Sequence, residues 1–269
     1  MEQKALNFLQ SLKKEKKILD FAVKSETNKK NVCANPFTVI SIRNNGDVYT
    51  CCPDYIRHNK IGNIFQEKSL RKIWYGEKAE ELRKKLINND YSMCNLDICS
   101  FRQDIDVSMF PDKLSAPKII YLSYDRECNL SCITCRDKII HNSKEKLALY
   151  EEIYTYIEPV IKEAELISIS GAGEPFFSRH SKELIKKISA LNKKAKWNII
   201  TNGILFTSEN CRKLGIYGRI NQAAVSLPAM SREIYGKITR GGNYDAVIKN
   251  IKEAAYEQNY NKSIKYARI

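Results

Sequence analysis

The chain has 269 residues, 43% of them apolar, and a formal net charge of +14 from 45 basic and 31 acidic side chains. That is length for one large domain or two smaller ones, with apolar residues enough for a core, which excludes a disordered chain. No apolar stretch approaches the ~20 residues that span a bilayer. The N-terminal MEQKALNFLQSLKKEKK has no long apolar run of the kind an export signal carries, so no membrane partner is expected and the cytoplasm is the expected compartment.

Residues 3–24 read as a basic amphipathic helix with Leu6, Leu9, Leu12, Leu19 and Val23 along one side, followed by the polar linker SETNKKN. FTVISIRNNGDVYTCC reads as two short strands around Asn45-Gly46, a hairpin signal. Ser69 to Trp74 predicts a short helix, and Glu77 to Ile87 a second one with Leu82 and Leu86 on its apolar side. FPDKLSAP, with two prolines in eight residues, predicts a linker between domains. From Lys118 the rhythm changes to alternating strands and helices. KIIYLSY, LISIS, WNII and INQAAVSLP read as strands. SKEKLALYEEIYTYIEPVIKEAE reads as a helix with Leu147, Tyr150, Tyr154 and Ile157 on one side and a break near Pro159. HSKELIKKISALNKK is a helix with Leu184, Ile188 and Leu191 inward, SENCRKLGIYG one that starts from a Ser cap and meets Gly215, and YDAVIKNIKEAAYEQ another. Strand and helix alternate four times, which predicts an α/β fold with a parallel sheet, and SIKYARI opens a further strand.

The excess charge is spread along helix faces with glutamates between (KKEKK, LRKKL, LIKKI, NKKAK). There is no compact basic stripe interleaved with aromatics, so nucleic acid is not the expected partner. An acidic peptide or nucleotide is compatible with the charge. Nine cysteines are many for a reducing compartment, where clustered thiols more often bind metal than form disulfides. Cys33, Cys51, Cys52, Cys94 and Cys99 form one group, and Cys128, Cys132 and Cys135 a second. Cys211 reads as a small buried hydrophobe. Three thiols at the spacing of CNLSCITC can wrap three irons of one cubane cluster and leave the fourth iron open, whereas a structural zinc wants four ligands. The loop follows a strand, at the edge where α/β folds build sites.

Cys128-Asn-Leu-Ser-Cys132-Ile-Thr-Cys135 resembles the C-x-x-x-C-x-x-C signature of the radical S-adenosylmethionine (SAM) enzymes. Thr134 stands where this family usually has an aromatic residue. Gly171-Ala172-Gly173-Glu174-Pro175, after the second strand, is similar to the family's glycine-glycine-glutamate turn, whose carbonyls hold the amino group of SAM. Thr201-Asn202-Gly203 resembles a family turn after the third strand, Ser226 lies where the family often contacts SAM, and Arg240 is placed to face the SAM carboxylate. The resemblance implies that Cys128, Cys132 and Cys135 ligate a catalytic [4Fe–4S] cluster and that Gly171, Gly173, Glu174, Ser226 and Arg240 contact SAM. It implies a low-potential electron donor, reductive cleavage of SAM, and abstraction of hydrogen from a substrate. The cofactor would carry the hard chemistry.

The first cysteine group, with IGNIF and SLRKIW between its members, is similar to the SPASM/twitch module that carries auxiliary clusters, though here it precedes the barrel. Cys33, Cys51, Cys94 and Cys99 would ligate an auxiliary [4Fe–4S] cluster, with Cys52 as a substitute for Cys51. The same four residues would equally suit a structural zinc. The expected organisation is an N-terminal helix and linker (1–30), a small Cys-rich α+β domain (31–105) and a partial TIM-like (βα) barrel of the radical SAM type (118–269). The segment from Lys118 is far shorter than the ~250 residues of a full eight-stranded barrel. Truncation after about four βα units is therefore expected. The resemblance ranks a peptide or protein side chain as first substrate and a carbohydrate as second. The other class is a non-catalytic cluster- or zinc-binding protein. His58, His141 and His180 lie in polar settings and are expected at the surface, so no general base is named.

Overall fold

A computed structural model of the chain describes residues 31–51, 59–97, 99, 104–106, 114–169 and 172–257. The helix expected over 3–24 and its linker up to residue 30, Cys52, His58, Gly171 and SIKYARI lie outside the described residues. The chain forms two compact units that divide between Lys118 and Ile119, with Ile42–Gly46 counted in the second.

The first unit runs Asn31–Cys33 (β1), Asn35–Thr38 (α1), Val39–Arg43 (β2), Asp47–Tyr49 (β3), Gly62–Asn63 (β4), Ile64–Glu67 (α2), Leu70–Trp74 (α3), Glu77–Ile87 (α4) and Asp104–Asp106 (β5). Asn45-Gly46 turns β2 into β3 as the sequence predicts. Gly46 has φ +81° and its amide reaches the Arg43 carbonyl at 2.8 Å. β1 pairs antiparallel with β5, Cys33 opposite Asp104, and β3 pairs antiparallel with β4. Ser69 caps α3 through the Lys72 amide, and α4 buries Leu82 and Leu86. Ala79 and Arg83 of α4 are buried as well, and Arg83 lies over the Trp74 ring at 4.2 Å and donates to the carbonyls of Pro36 and Trp74. Burial lowers its pKa to about 10. The Trp74 indole N–H finds the Ser115 carbonyl at 2.9 Å, and Ala116 is buried. So the end of the expected linker is packed, because a buried indole needs an acceptor.

The second unit alternates Ile119–Ser123 (β6), Lys144–Ile161 (α5), Leu166–Ile169 (β7), Arg179–Leu191 (α6), Lys196–Thr201 (β8), Ser208–Lys213 (α7) and Ile220–Val225 (β9), then Arg232–Ile238 (α8) and Tyr244–Glu257 (α9). β6, β7, β8 and β9 lie side by side, all parallel, with a register shift at Trp197/Asn198. Ile120, Leu122, Ile167, Ile169, Trp197 and Ile199 are buried on these strands, each contributing roughly 1.5–3 kcal/mol on leaving water. Parallel strands put all four C-terminal ends on one edge.

Three details differ from the sequence expectations. α5 does not break near Pro159. The proline sits in the last turn, where its missing donor costs one bond, and the helix ends at Ile161. The buried stripe of α5 is Tyr150, Ile153, Ile157, Val160 and Ile161, with Leu147 and Tyr154 only partly covered. The cap of α7 is Thr207, whose hydroxyl accepts from the Asn210 amide, and Ser208 is its first helical residue.

Candidate metal and cofactor site

The cysteine loop springs from the end of β6. The Cys128 amide pairs with the Ile140 carbonyl at 3.1 Å, which returns the chain beneath the loop. The outer side is tied to a strap formed by the last residue of α8 and the two that follow it: Ser131 N–H donates to Arg240 O and Ile133 N–H to Ile238 O. A turn at Cys132 accepts from the amides of Cys135 and Arg136. Exposure rises along the loop, with Cys128 buried, Cys132 half-buried and Cys135 exposed. Burial pushes the Cys128 and Cys132 thiols up, and for Cys132 its two fellow cysteines add to the effect. Thr134 is exposed.

The next two turns brace this loop. A Cβ on Gly173 would stand 2.5 Å from the Glu127 carbonyl and 2.8 Å from that of Asp125, so only glycine lets the turn after β7 close on the segment before Cys128. The Glu174 amide donates to Glu127 O at 2.8 Å. The carboxylate of Glu174 turns inward: it is buried and accepts from Thr201 Oγ1, the Asn202 amide and the Phe176 amide. Burial pushes its pKa up to about 7 against these three donors. Thus Glu174 ties the second turn to the third. Asn202 in turn donates to Asn129 Oδ1 at 2.9 Å. Gly203, at φ +82°, leaves no room for a Cβ beside Val225 and Val247. Ser226 is exposed at the end of β9, its amide on the Thr201 carbonyl. Arg240 contributes its carbonyl to the strap and its side chain is exposed.

Sequence reasoning missed the wall behind the loop. Burial pushes the Asp125 carboxyl up, but hydrogen bonds from Asn142, Ser178, Ser181 and the Glu127 amide hold it below its ordinary value. Nothing in YDRE marks that role, because its partners lie up to 56 residues away. His180 corrects a second expectation: it is 7% exposed, with Nε2 2.9 Å from the Tyr124 hydroxyl, and its ring forms a three-way cluster with those of Tyr124 and Tyr150, which also touch each other. The ring lies inside because those two aromatics offer it tilted ring contacts and a hydrogen-bond partner. His141 is exposed, its Nδ1 3.3 Å from Glu127 Oε1.

In the first unit Cys33 and Cys51 are buried and Cys94 and Cys99 partly exposed. Asn35 Nδ2 lies 3.7 Å from Cys51 Sγ. Tyr91 links Cys33 to Cys94: its hydroxyl accepts from the Cys33 amide and its carbonyl from the Cys94 amide. Cys211 is buried in the second unit. Among the described residues no set of three or more His, Cys, Asp or Glu side chains converges on one metal-ion position. The fit to a cluster rests on donor chemistry: three soft sulfurs on one short loop, two of them close enough to Cys132 to push its thiol up, suit iron–sulfur ligation.

Residues 123–259, just over half of the chain, match the family described as "Radical SAM superfamily". The chain belongs to the radical SAM superfamily. Residues 33–100 match the "iron-sulfur cluster-binding domain" SPASM, placed before the radical SAM segment. Membership implies a [4Fe–4S] cluster and SAM for the radical SAM segment, and auxiliary iron–sulfur clusters for the SPASM segment. Similar curated proteins include GTP 3′,8-cyclase of Clostridium botulinum (strain Hall), 31% identical over 147 residues, 51% of this chain and 44% of that protein. Probable GTP 3′,8-cyclase of Methanocaldococcus jannaschii is 32% identical over 134 residues, 49% of this chain and 44% of that protein. The chain thus spans less than half the length of these curated relatives. The solved structure of BtrN in complex with AdoMet and 2-DOIA overlaps at TM-score 0.32 and 19% identity, over 49% of this chain and 54% of that one, too little to add to the assignment.

Proposed function

We propose that the chain works as a radical SAM enzyme whose reaction starts at Cys128, Cys132 and Cys135. The reading is carried by one observation: the three-thiol loop lies at the strand edge, clamped by the Gly173 turn on one side and the 238–240 strap on the other. Together a [4Fe–4S] cluster and SAM supply one-electron cleavage of SAM and hydrogen abstraction from a substrate. The chain's own residues bind and orient. Cys128, Cys132 and Cys135 hold the cluster. Gly171, Gly173 and Glu174 receive SAM, the Glu174 side chain by fixing the shape of the turn it shares with Gly173. Ser226 and Arg240 contact SAM with side chains that are exposed. Cys33, Cys51, Cys94 and Cys99 hold an auxiliary [4Fe–4S] cluster in a domain spanning 31–105, and the partial barrel spans 118–269.

A peptide or protein side chain is the first proposed substrate, supported by the SPASM match. A guanosine nucleotide is the second, supported by the relatives named GTP 3′,8-cyclase and by a net charge of +14 that suits a polyphosphate. The deciding experiment measures 5′-deoxyadenosine from anaerobically reconstituted protein given SAM and a low-potential reductant. Release that disappears in Cys132→Ala is the expected result. Protein that carries iron and sulfide but releases none would overturn the reading. Stimulation by added GTP would move the substrate from the first reading to the second.

A further inference from the structure

Among the described residues no acid neutralises one cation beside the cysteine loop. Arg136 follows the third cysteine, and its guanidinium is fixed by four hydrogen bonds. Nε and Nη2 both point at Cys135 Sγ, at 3.4 and 3.3 Å. Nη1 donates to the Arg126 carbonyl at 2.8 Å and Nη2 to the Ala172 carbonyl at 2.9 Å. Those two carbonyls belong to the segment before Cys128 and to the turn after β7, so the side chain joins three pieces of the site. Among the described residues no carboxylate pairs with it. An arginine keeps its charge at any working pH, and a planar fork is normally matched to an anion. A neutral thiol is a poor answer to a guanidinium. A metal-bound thiolate is a good one.

The geometry points to Arg136 as a positioning residue that donates two N–H bonds to the Cys135 thiolate and raises the reduction potential of the cluster it ligates. The inference rests on the cluster assignment proposed above. The physical reason is direct. Taking up one electron from an external low-potential donor adds one negative charge to the cluster. Hydrogen bonds to a ligand sulfur, and a fixed positive charge beside it, stabilise that added charge. Cys135 is also the exposed corner, where water competes for the sulfur. The two carbonyl anchors hold the fork on the sulfur, and so keep the donors in place without help from packing.

The test is a redox titration of the anaerobically reconstituted full chain. It follows the EPR signal that SAM addition perturbs, which separates this cluster from the auxiliary one. In Arg136→Met the reduced-to-oxidised ratio at fixed solution potential is expected to fall about tenfold, ~59 mV for one electron. Arg136→Lys keeps the charge, loses the fork and is expected to fall between the two. Wild-type iron content with an unchanged ratio in Arg136→Met would overturn the inference. A second readout needs no variant to load a cluster. Pulsed EPR on wild-type protein grown with guanidino-nitrogen-15 arginine should show a nitrogen-15 coupling to the reduced cluster, and its absence would overturn the inference equally. Wild-type protein that takes up no iron at all would instead sink the cluster assignment beneath it.

Discussion

Burial pushes the His180 imidazole down to about 4, well below its ordinary value, since its ring packs against both Tyr124 and Tyr150 with little water to receive a charge. The folded protein therefore resists a proton that the unfolded chain accepts near 6.5. This residue's contribution is full above that pH and lost as pH falls toward 4. Glu174 runs the other way: with a folded pKa of about 7, its contribution is full below the ordinary carboxylate range and lost as pH rises through 7. The two slopes oppose one another near pH 5–6, so neither is visible in the wild type alone. His180→Phe separates them. The stability gap between wild type and His180→Phe, from denaturant titration, should shrink by roughly 2 kcal/mol between pH 7 and pH 5, at 1.36 kcal/mol per unit. A gap independent of pH would mean an imidazole that titrates normally. Gly173 makes a sharper residue-scale case, because its neighbours are backbone carbonyls that cannot rotate away. Gly173→Ala should cost ~1–3 kcal/mol and weaken SAM binding measured by calorimetry.

Elements are joined in the second unit by side chains that serve two at once. Asn192 donates to the carbonyls of Ile161 and Ala164 and accepts from the amides of Lys194 and Ala195, so it fastens the end of α5, the end of α6 and the start of β8. Asn192→Ala leaves buried carbonyls and amides short of partners and should cost about 3 kcal/mol, read from its unfolding midpoint. Periodicity revealed these elements because burial acts on every second or every fourth residue, and KIIYLSY or HSKELIKKISAL carries that imprint locally. The fastenings carry none. Asn192 in LNKK reads as one more polar loop residue. The strap reaches the cysteine loop through the backbone of Ile238 and Arg240, and any residue has a carbonyl to give. His180 sits in a polar run that reads as surface, since the hydroxyl that receives it stands 56 residues earlier. The candidate site was legible where its chemistry needs particular residue types, in the three cysteines and the glycine turn. It was illegible where it needs only shape.

Among the described residues the cysteines fall in two sets, one in each compact unit, with Cys211 apart. Two separate sets of donors should load independently. A Cys128→Ala/Cys132→Ala/Cys135→Ala variant is expected to keep about half the iron of the wild type, and a Cys33→Ala/Cys94→Ala variant the complementary half, both by iron and sulfide assay. Loss of all iron from either would mean that one cluster must form before the other.

The gradient of exposure along the cysteine loop gives assembly a direction. A cluster held by these three thiols, as proposed, would be expected to seat at Cys135 first, at the rim, and at Cys128 last. The same gradient runs in reverse during damage. In that proposed cluster the Cys135 corner would meet oxygen before the covered sulfur of Cys128 does.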